Sequence, residues 1–391
     1  MMKRFAYFAT FLLLLGLAAC KGPAPKGNDY IVAAYIWPSC HDDSLGRALV
    51  WPAGKGEWEI IERGKPLFPG HYQPRQPLWG QEPDDDPAVV ERWIDTALAH
   101  GVNTFIYDWY WFHHYPFLEG ALDDGFLKAR NNRKMNFFIM YANHEVTRYW
   151  NPYINDDDKT LTMDPRIDWD QWKLIVQRVI GQYFHLPNYL KIDGKPVFGL
   201  YSPHFFVESF GSPEEAGRAM DYLREQVRAA GFPGIYLTQH SGMHAFPDPY
   251  YENKTRVQAE ALGIDAFAFY NMTSRSEDYL EYGKRAIEHR AQWEAHYAQP
   301  FIPVVSVGWD NSPRYPDGPG VICHYNNTPR AFGTYLQKAK EYADAHADRQ
   351  PRMVLINAWN EWVEGSYLLP DHLNGFGYLE AVRDVFGPAR Q

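Results

Sequence analysis

The sequence predicts an α/β protein built as a single (β/α)₈ barrel, and three observations point there. Eight apolar runs recur along the 391 residues, each followed by a helical stretch, which is the rhythm of parallel strands joined by crossover helices. Polar and aromatic residues gather after the carboxyl ends of those runs, where this fold keeps its reactive groups, whereas the amino ends carry turn residues such as Gly101 and Asp193-Gly194. Finally, the first run is followed by Trp37-Pro38-Ser39-Cys40-His41 and not by the glycine-rich phosphate turn of a dinucleotide-binding sheet.

The strands are expected over 31–37, 104–109, 137–141, 196–201, 235–239, 266–270, 301–307 and 353–358. Helices over 89–99, 169–183 and 214–230 have start signals in Asp86-Pro87, Asp164-Pro165 and Ser212-Pro213. An oxygen-bearing side chain can cap the first turn, and proline has no N–H left over there. No second linker, repeat or low-complexity tract interrupts 29–391, so one domain is expected.

Ahead of that domain, Lys3-Arg4, an apolar stretch over 5–17 and Leu17-Ala18-Ala19-Cys20 read as a bacterial lipoprotein signal, 1–20. The apolar stretch falls short of the roughly 20 residues that a spanning helix needs. Cys20 is therefore the expected lipid-bearing residue and 21–28 a flexible tether. Lys21, in place of an aspartate, suits delivery to the outer membrane. The plainer alternative is an ordinary secretory signal that ends near a cysteine.

A net charge of −10, with no basic block beyond the signal, argues against nucleic acid as a partner. The chain has 14 Trp and 27 Tyr, many clustered beside His, Asn and Asp, which match the apolar faces and hydroxyl edges of sugars. A glycan or polysaccharide is the expected partner of a monomeric body. Cys40 and Cys323 are equally consistent with a disulfide and with two free thiols, and no metal or cofactor is expected.

Residues at the strand ends supply the candidate site. Strand one ends at Tyr35 and Trp37, strand two at Asp108, Trp109, Tyr110 and Trp111 with His113 and His114, and strand three at Tyr141, Asn143, His144 and Glu145. Strand four ends at Tyr201 and His204, strand five at Gln239 and His240, and strand six at Tyr270 and Asn271. Strand seven gives Trp309, Asp310, Asn311 and Arg314; strand eight gives Asn360, Glu361 and Glu364, with Trp362 and Tyr367 close behind. All but Tyr110, His114, Tyr201, His204 and Asn311 are candidate contacts to substrate. Plainer roles stand beside these. The tryptophans could roof the barrel, Asp310 could pair with Arg314 to hold its loop, and His144 with Glu145 could be a satisfied structural pair. Adjacent His113 and His114 would point to opposite sides of an extended chain. A metal centre from Asp108, His113, His144 and Glu145 lacks any recognised ligand spacing. The acidic runs 84–86 and 156–158 look like loop and helix-start chemistry.

Glu361 and Glu364 are the expected catalytic pair, because two carboxyls among aromatic rings can divide acid and base work on one glycosidic bond. A carboxyl against Trp359, Trp362 or Tyr367 would be poorly solvated and stay protonated, while its partner could take donors from Asn360 or Tyr367. The bland alternative is that the glutamates cap a helix or pair with arginine.

Three motifs carry a resemblance that covers nearly all of 29–391: Trp359-Asn360-Glu361-Trp362-Val363-Glu364-Gly365, Val307-Gly308-Trp309-Asp310-Asn311-Ser312-Pro313-Arg314, and Tyr107-Asp108-Trp109-Tyr110-Trp111. They resemble the glycoside hydrolase family 99 endo-α-mannosidases and endomannanases and, more closely, the WbsX-like, or family 99-like, glycosyltransferases. The hydrolase resemblance implies retaining hydrolysis through a transient 1,2-anhydro sugar. Glu361 would remove the proton of the 2-hydroxyl, and Glu364 would protonate the leaving oxygen and then activate water. A glycosyltransferase and a glycan-binding lipoprotein without activity are the two other readings.

Overall fold

The computed structural model describes residues 29–112, 114–154, 161–241, 249–272, 276–316, 318 and 320–389. The signal and tether with Cys20, the acidic run 156–158 and His113 lie outside the described residues.

Eight parallel strands close into a barrel: β1 (Ile31–Ile36), β2 (Thr104–Phe112), β3 (Asn136–Tyr141), β4 (Lys195–Leu200), β5 (Tyr236–Gln239), β6 (Ala266–Ala268), β7 in two pieces (Phe301–Ile302 and Val304–Ser306) and β8 (Met353–Asn357). The strands pair in sequence order, and β1 meets β8 with Ala33 opposite Leu355. The first piece of β7 bonds β6 and the second bonds β8, so the ring closes across Pro303. Proline has no N–H for the ladder and splits the strand, yet its carbonyl still accepts from the Leu355 N–H at 2.9 Å.

Crossover helices follow the expected signals. Asp86 caps Pro87–Ala99 by accepting from the Ala88 N–H, and Ser212 caps Pro213–Ala229 by accepting from the Glu215 N–H. The helix expected over 169–183 is α-helical over Trp169–Arg178 and widens into a π-turn over Val179–Phe184. Its cap is Asp168, not Asp164. Farther along, Pro249–Leu262, Tyr279–His296 and Pro329–Ala345 complete the crossovers, and Gly377–Phe386 packs on Pro329–Ala345. No helix among the described residues is long and apolar enough to cross a membrane. Cys40 and Cys323 are free thiols, not a disulfide.

Side-chain parity along the strands decides what faces the barrel mouth, because successive residues of a strand point to opposite faces. On β2, Asp108 and Tyr110 face inward, while Tyr107 and Trp109 face the helix layer. Tyr107 packs on Phe126, and the Trp109 Nε1–H donates to Glu119 at 2.8 Å. On β3, Met140 faces the mouth, and Tyr141 packs outside against Trp109.

Candidate active site

The chain after β8 makes a tight hairpin in which Asn360–Glu361 pairs antiparallel with Ser366–Tyr367 around a 3₁₀ turn, Trp362–Glu364. Gly365 closes the turn at φ +63°, in the left-handed region that glycine tolerates, and a Cβ there would lie 2.9 Å from Asp310 Cβ. Replacing Gly365 with Ala should therefore lower stability by about 1–3 kcal/mol, read as a shift in the denaturant midpoint. Asn360 pins the hairpin to β1: its Oδ1 accepts from the Trp37 N–H at 2.9 Å and its Nδ2 donates to the Trp37 carbonyl at 2.8 Å. Ser366 adds a hydroxyl bond to the Asn357 carbonyl at 2.6 Å.

This frame sets Glu361 and Glu364 on one side of a cleft of about 280 Å³ at the carboxyl end of the barrel. Trp37, Tyr110, Tyr149, Trp150, Tyr201, Tyr270 and Trp309 give it aromatic walls, and Asp108, His144, Glu145, His240, Asn271 and Arg314 complete the lining. Glu361 Oε2 accepts from the Tyr270 hydroxyl at 2.9 Å and from Asn357 Nδ2 at 3.3 Å. Glu364 Oε1 accepts from Arg314 Nη1, and Arg314 Nη2 donates to Glu57 Oε1 at 2.9 Å. Trp37 Nε1 and Ser39 Oγ hold the other oxygen of Glu57. Arg314 is thus a buried cation between two buried carboxylates, and its plane lies 5.0 Å from the Tyr149 ring centroid.

Burial raises both glutamate carboxyls above the ordinary range. The charge of Glu364 pushes Glu361 further up, and Arg314 draws both carboxyls back down. Burial also lowers His144 to about 4 and His240 to about 3, so both are neutral near pH 7. Tyr110 faces His144 Nε2 at 3.1 Å.

Several sequence-predicted contacts lie away from the cleft. Tyr35 sits beneath it, its hydroxyl 2.6 Å from His240 Nδ1. Trp109 and Tyr141 face the helix layer. Trp111 lies on the same face of β2 as Trp109 and reaches Gln171, and the Gln239 amide donates to the Ser241 carbonyl at 2.8 Å. Asn143 brackets Ser202 through backbone bonds of 2.7 and 2.8 Å. The donors proposed for the glutamates are committed elsewhere: Asn360 holds Trp37, and the Tyr367 hydroxyl donates to Asp371 at 2.7 Å. Trp362 stacks on Tyr367 and packs on Trp58, and Trp359 packs against Trp93 and Phe105.

The expected Asp310–Arg314 pair does not form. Asp310 accepts instead from His71 at 3.0 Å and from Gln73 and Arg75 at 2.7 Å each. Burial alone would raise its carboxyl, but these donors hold it well below the ordinary range. Cys323 lies close enough to His71 and Asp310 to suggest a metal cluster, yet the Arg75 cation already occupies the carboxylate. Sequence reading gave no role to Tyr110 or Tyr201 and did not single out Glu57, Tyr149 or Trp150.

A family model described as Glycosyltransferase WbsX matches residues 34–382. The uncharacterized protein WxcX of Xanthomonas campestris pv. campestris is 28% identical over 378 residues, which is 92% of this chain and 50% of that protein. The chain thus spans about half the length of the curated relatives it matches. Two solved structures share the fold. One is the GH99 endo-alpha-mannosidase from Bacteroides thetaiotaomicron, with TM-score 0.56, 13% identity, and coverage of 92% of this chain and 96% of that one. The other is a glycoside hydrolase-like protein with TM-score 0.57, 16% identity, and coverage of 94% and 97%. With 34–382 matched, the chain belongs to the family described as Glycosyltransferase WbsX, and it shares its (β/α)₈ barrel with both solved structures.

Proposed function

We propose that the chain is a retaining glycoside hydrolase that acts on α-linked mannose-like sugars of a polysaccharide or complex glycan. The observation that carries this reading is the pair of buried carboxyls, Glu361 and Glu364, that line one aromatic cleft at the barrel mouth. In the 1,2-anhydro route, Glu361 takes the 2-hydroxyl proton and that oxygen attacks the anomeric carbon. Glu364 meanwhile gives its proton to the leaving oxygen. Water then opens the anhydro ring, giving one proton to Glu364 and keeping its other hydrogen on the new anomeric hydroxyl, while Glu361 returns to the 2-oxygen the proton it took in the first step.

The family's description favours a second reading, transfer from a nucleotide sugar. A diphosphate needs cations or a helix N-terminus. Among the described residues lining the cleft, the one cation is Arg314, already held by Glu57 and Glu364. Reducing-end release from a panel of mannans and other α-linked glycans, with and without nucleotide sugars, separates the two. Release without a nucleotide sugar is expected; transfer that occurs only with one would replace the hydrolase reading.

The cell address rests on the sequence alone. We propose anchoring through a lipid on Cys20, at the outer membrane. Replacing Cys20 with Ser should move the protein from the detergent-extracted membrane fraction to the soluble fraction with its activity intact, since a tether joins no core. Fractionation and a rate assay check both halves.

A further inference from the structure

Asp108 stands in the cleft beside the glutamates, and the two-carboxyl reaction gives it no part. The Tyr270 hydroxyl lies 3.0 Å from Asp108 Oδ2 and 2.9 Å from Glu361 Oε2. Each contact needs a hydrogen. The phenol supplies one, so the other must ride on a carboxyl. Glu361 also accepts from Asn357 Nδ2 at 3.3 Å, whereas the Oδ1 of Asp108 has no partner, so both contacts are satisfied when Asp108 donates to Tyr270 and Tyr270 to Glu361.

We propose that Asp108 works as a neutral carboxylic acid whose proton, given to the Tyr270 oxygen, keeps the phenol hydrogen on Glu361. It is a positioning residue, and its role rests on the hydrolase reading. The phenol hydrogen then steadies Glu361 as the anion that the 2-hydroxyl needs, with Glu364 as the acid. An ionised Asp108 would instead draw the phenol hydrogen to itself and leave Glu361 with Asn357 alone.

The surroundings suit the neutral form. The groups facing Asp108 are Tyr270, Glu361 and Glu364, with Tyr35, Tyr110 and Tyr201 close by, and among the described residues no cation contacts it. Its Oδ1 is buried without a hydrogen-bond partner, which costs less for the carbonyl oxygen of an acid than for a carboxylate. Burial raises its carboxyl well above the ordinary range.

The test pairs Asp108→Asn with Asp108→Ala. The amide can still donate to Tyr270, so Asp108→Asn should keep kcat/KM within a few-fold of the wild type, whereas Asp108→Ala should lose about 10²-fold. Infrared spectra of the free protein at neutral pH should show the C=O band of protonated buried carboxyls, with one contribution missing in Asp108→Asn. An unchanged band in that variant, a loss as large as in the Ala variant, or an unimpaired Ala variant would each overturn the proposal. If the Ala variant fails to fold, the Asn rate and the band decide. A band that loses its Asp108 contribution in a protein that hydrolyses no glycoside would sustain the neutral acid and refute the hydrolase instead.

Discussion

Glu361→Gln and Glu364→Gln should differ most sharply in how they respond to the leaving group. Without Glu361 the 2-hydroxyl has no base, so every substrate slows in the first step, including an aryl glycoside with a highly activated leaving group. Without Glu364 the leaving oxygen has no acid, so natural glycans should slow by roughly 10²–10⁴-fold. An activated aryl group needs little protonation and should recover much of its first-step rate in that variant alone. A 2-deoxy substrate should not turn over by this route at all. Rates for natural, activated and 2-deoxy substrates in the two variants make the comparison. Equal responses in both, or brisk cleavage of the 2-deoxy sugar, would point to ordinary double displacement with a glutamate as nucleophile.

Arg314→Met should cost about 3–5 kcal/mol of stability, because it leaves two buried carboxylates facing each other without their cation. Glu57 is fully buried and Glu364 nearly so, so water can do little to screen them. Arg314→Lys should recover only part of the loss, since one ammonium cannot reproduce a guanidinium fork that reaches both acids. Adding Glu57→Gln to Arg314→Met should restore a share, for it removes one of the stranded charges. Denaturant unfolding of the two singles and the double gives the coupling directly. A double variant no more stable than Arg314→Met alone would mean that Glu57 and Arg314 do not act as a pair.

The barrel was legible because its evidence is local. Eight runs of apolar residues, and caps such as Asp86 and Ser212, write strands and helix starts into a few neighbouring residues. Where the expectations missed, tertiary contacts decided. β2 continues to Phe112 because Tyr110–Phe112 pairs with Tyr115–Phe117, and β7 divides at Pro303 because two neighbouring strands claim its halves.

For the site, the sequence placed Glu361, Glu364, Asp108, Tyr270, His144 and Trp309 at strand ends, and the fold gathers them around one cleft. The alternation of strand side chains could have gone further. If Asp108 faces the mouth, then Tyr110 does too, and Trp109 and Trp111 cannot. Glu57, Arg75 and His71 were beyond reach, since they come from the long loop between β1 and β2 and meet Arg314 and Asp310 more than 230 positions away. No periodicity records such a contact. The partners of the glutamates were equally hidden, because Arg314 touches one of them and Tyr270 the other.

Proton NMR of the first-formed product, followed in real time on an α-linked mannan, tests the central claim most directly. Hydrolysis through Glu361, Glu364 and the 2-hydroxyl releases the α-anomer first, with the β-anomer rising only at the rate of mutarotation. A β-anomer formed first would contradict retention and with it the division of roles between the two glutamates.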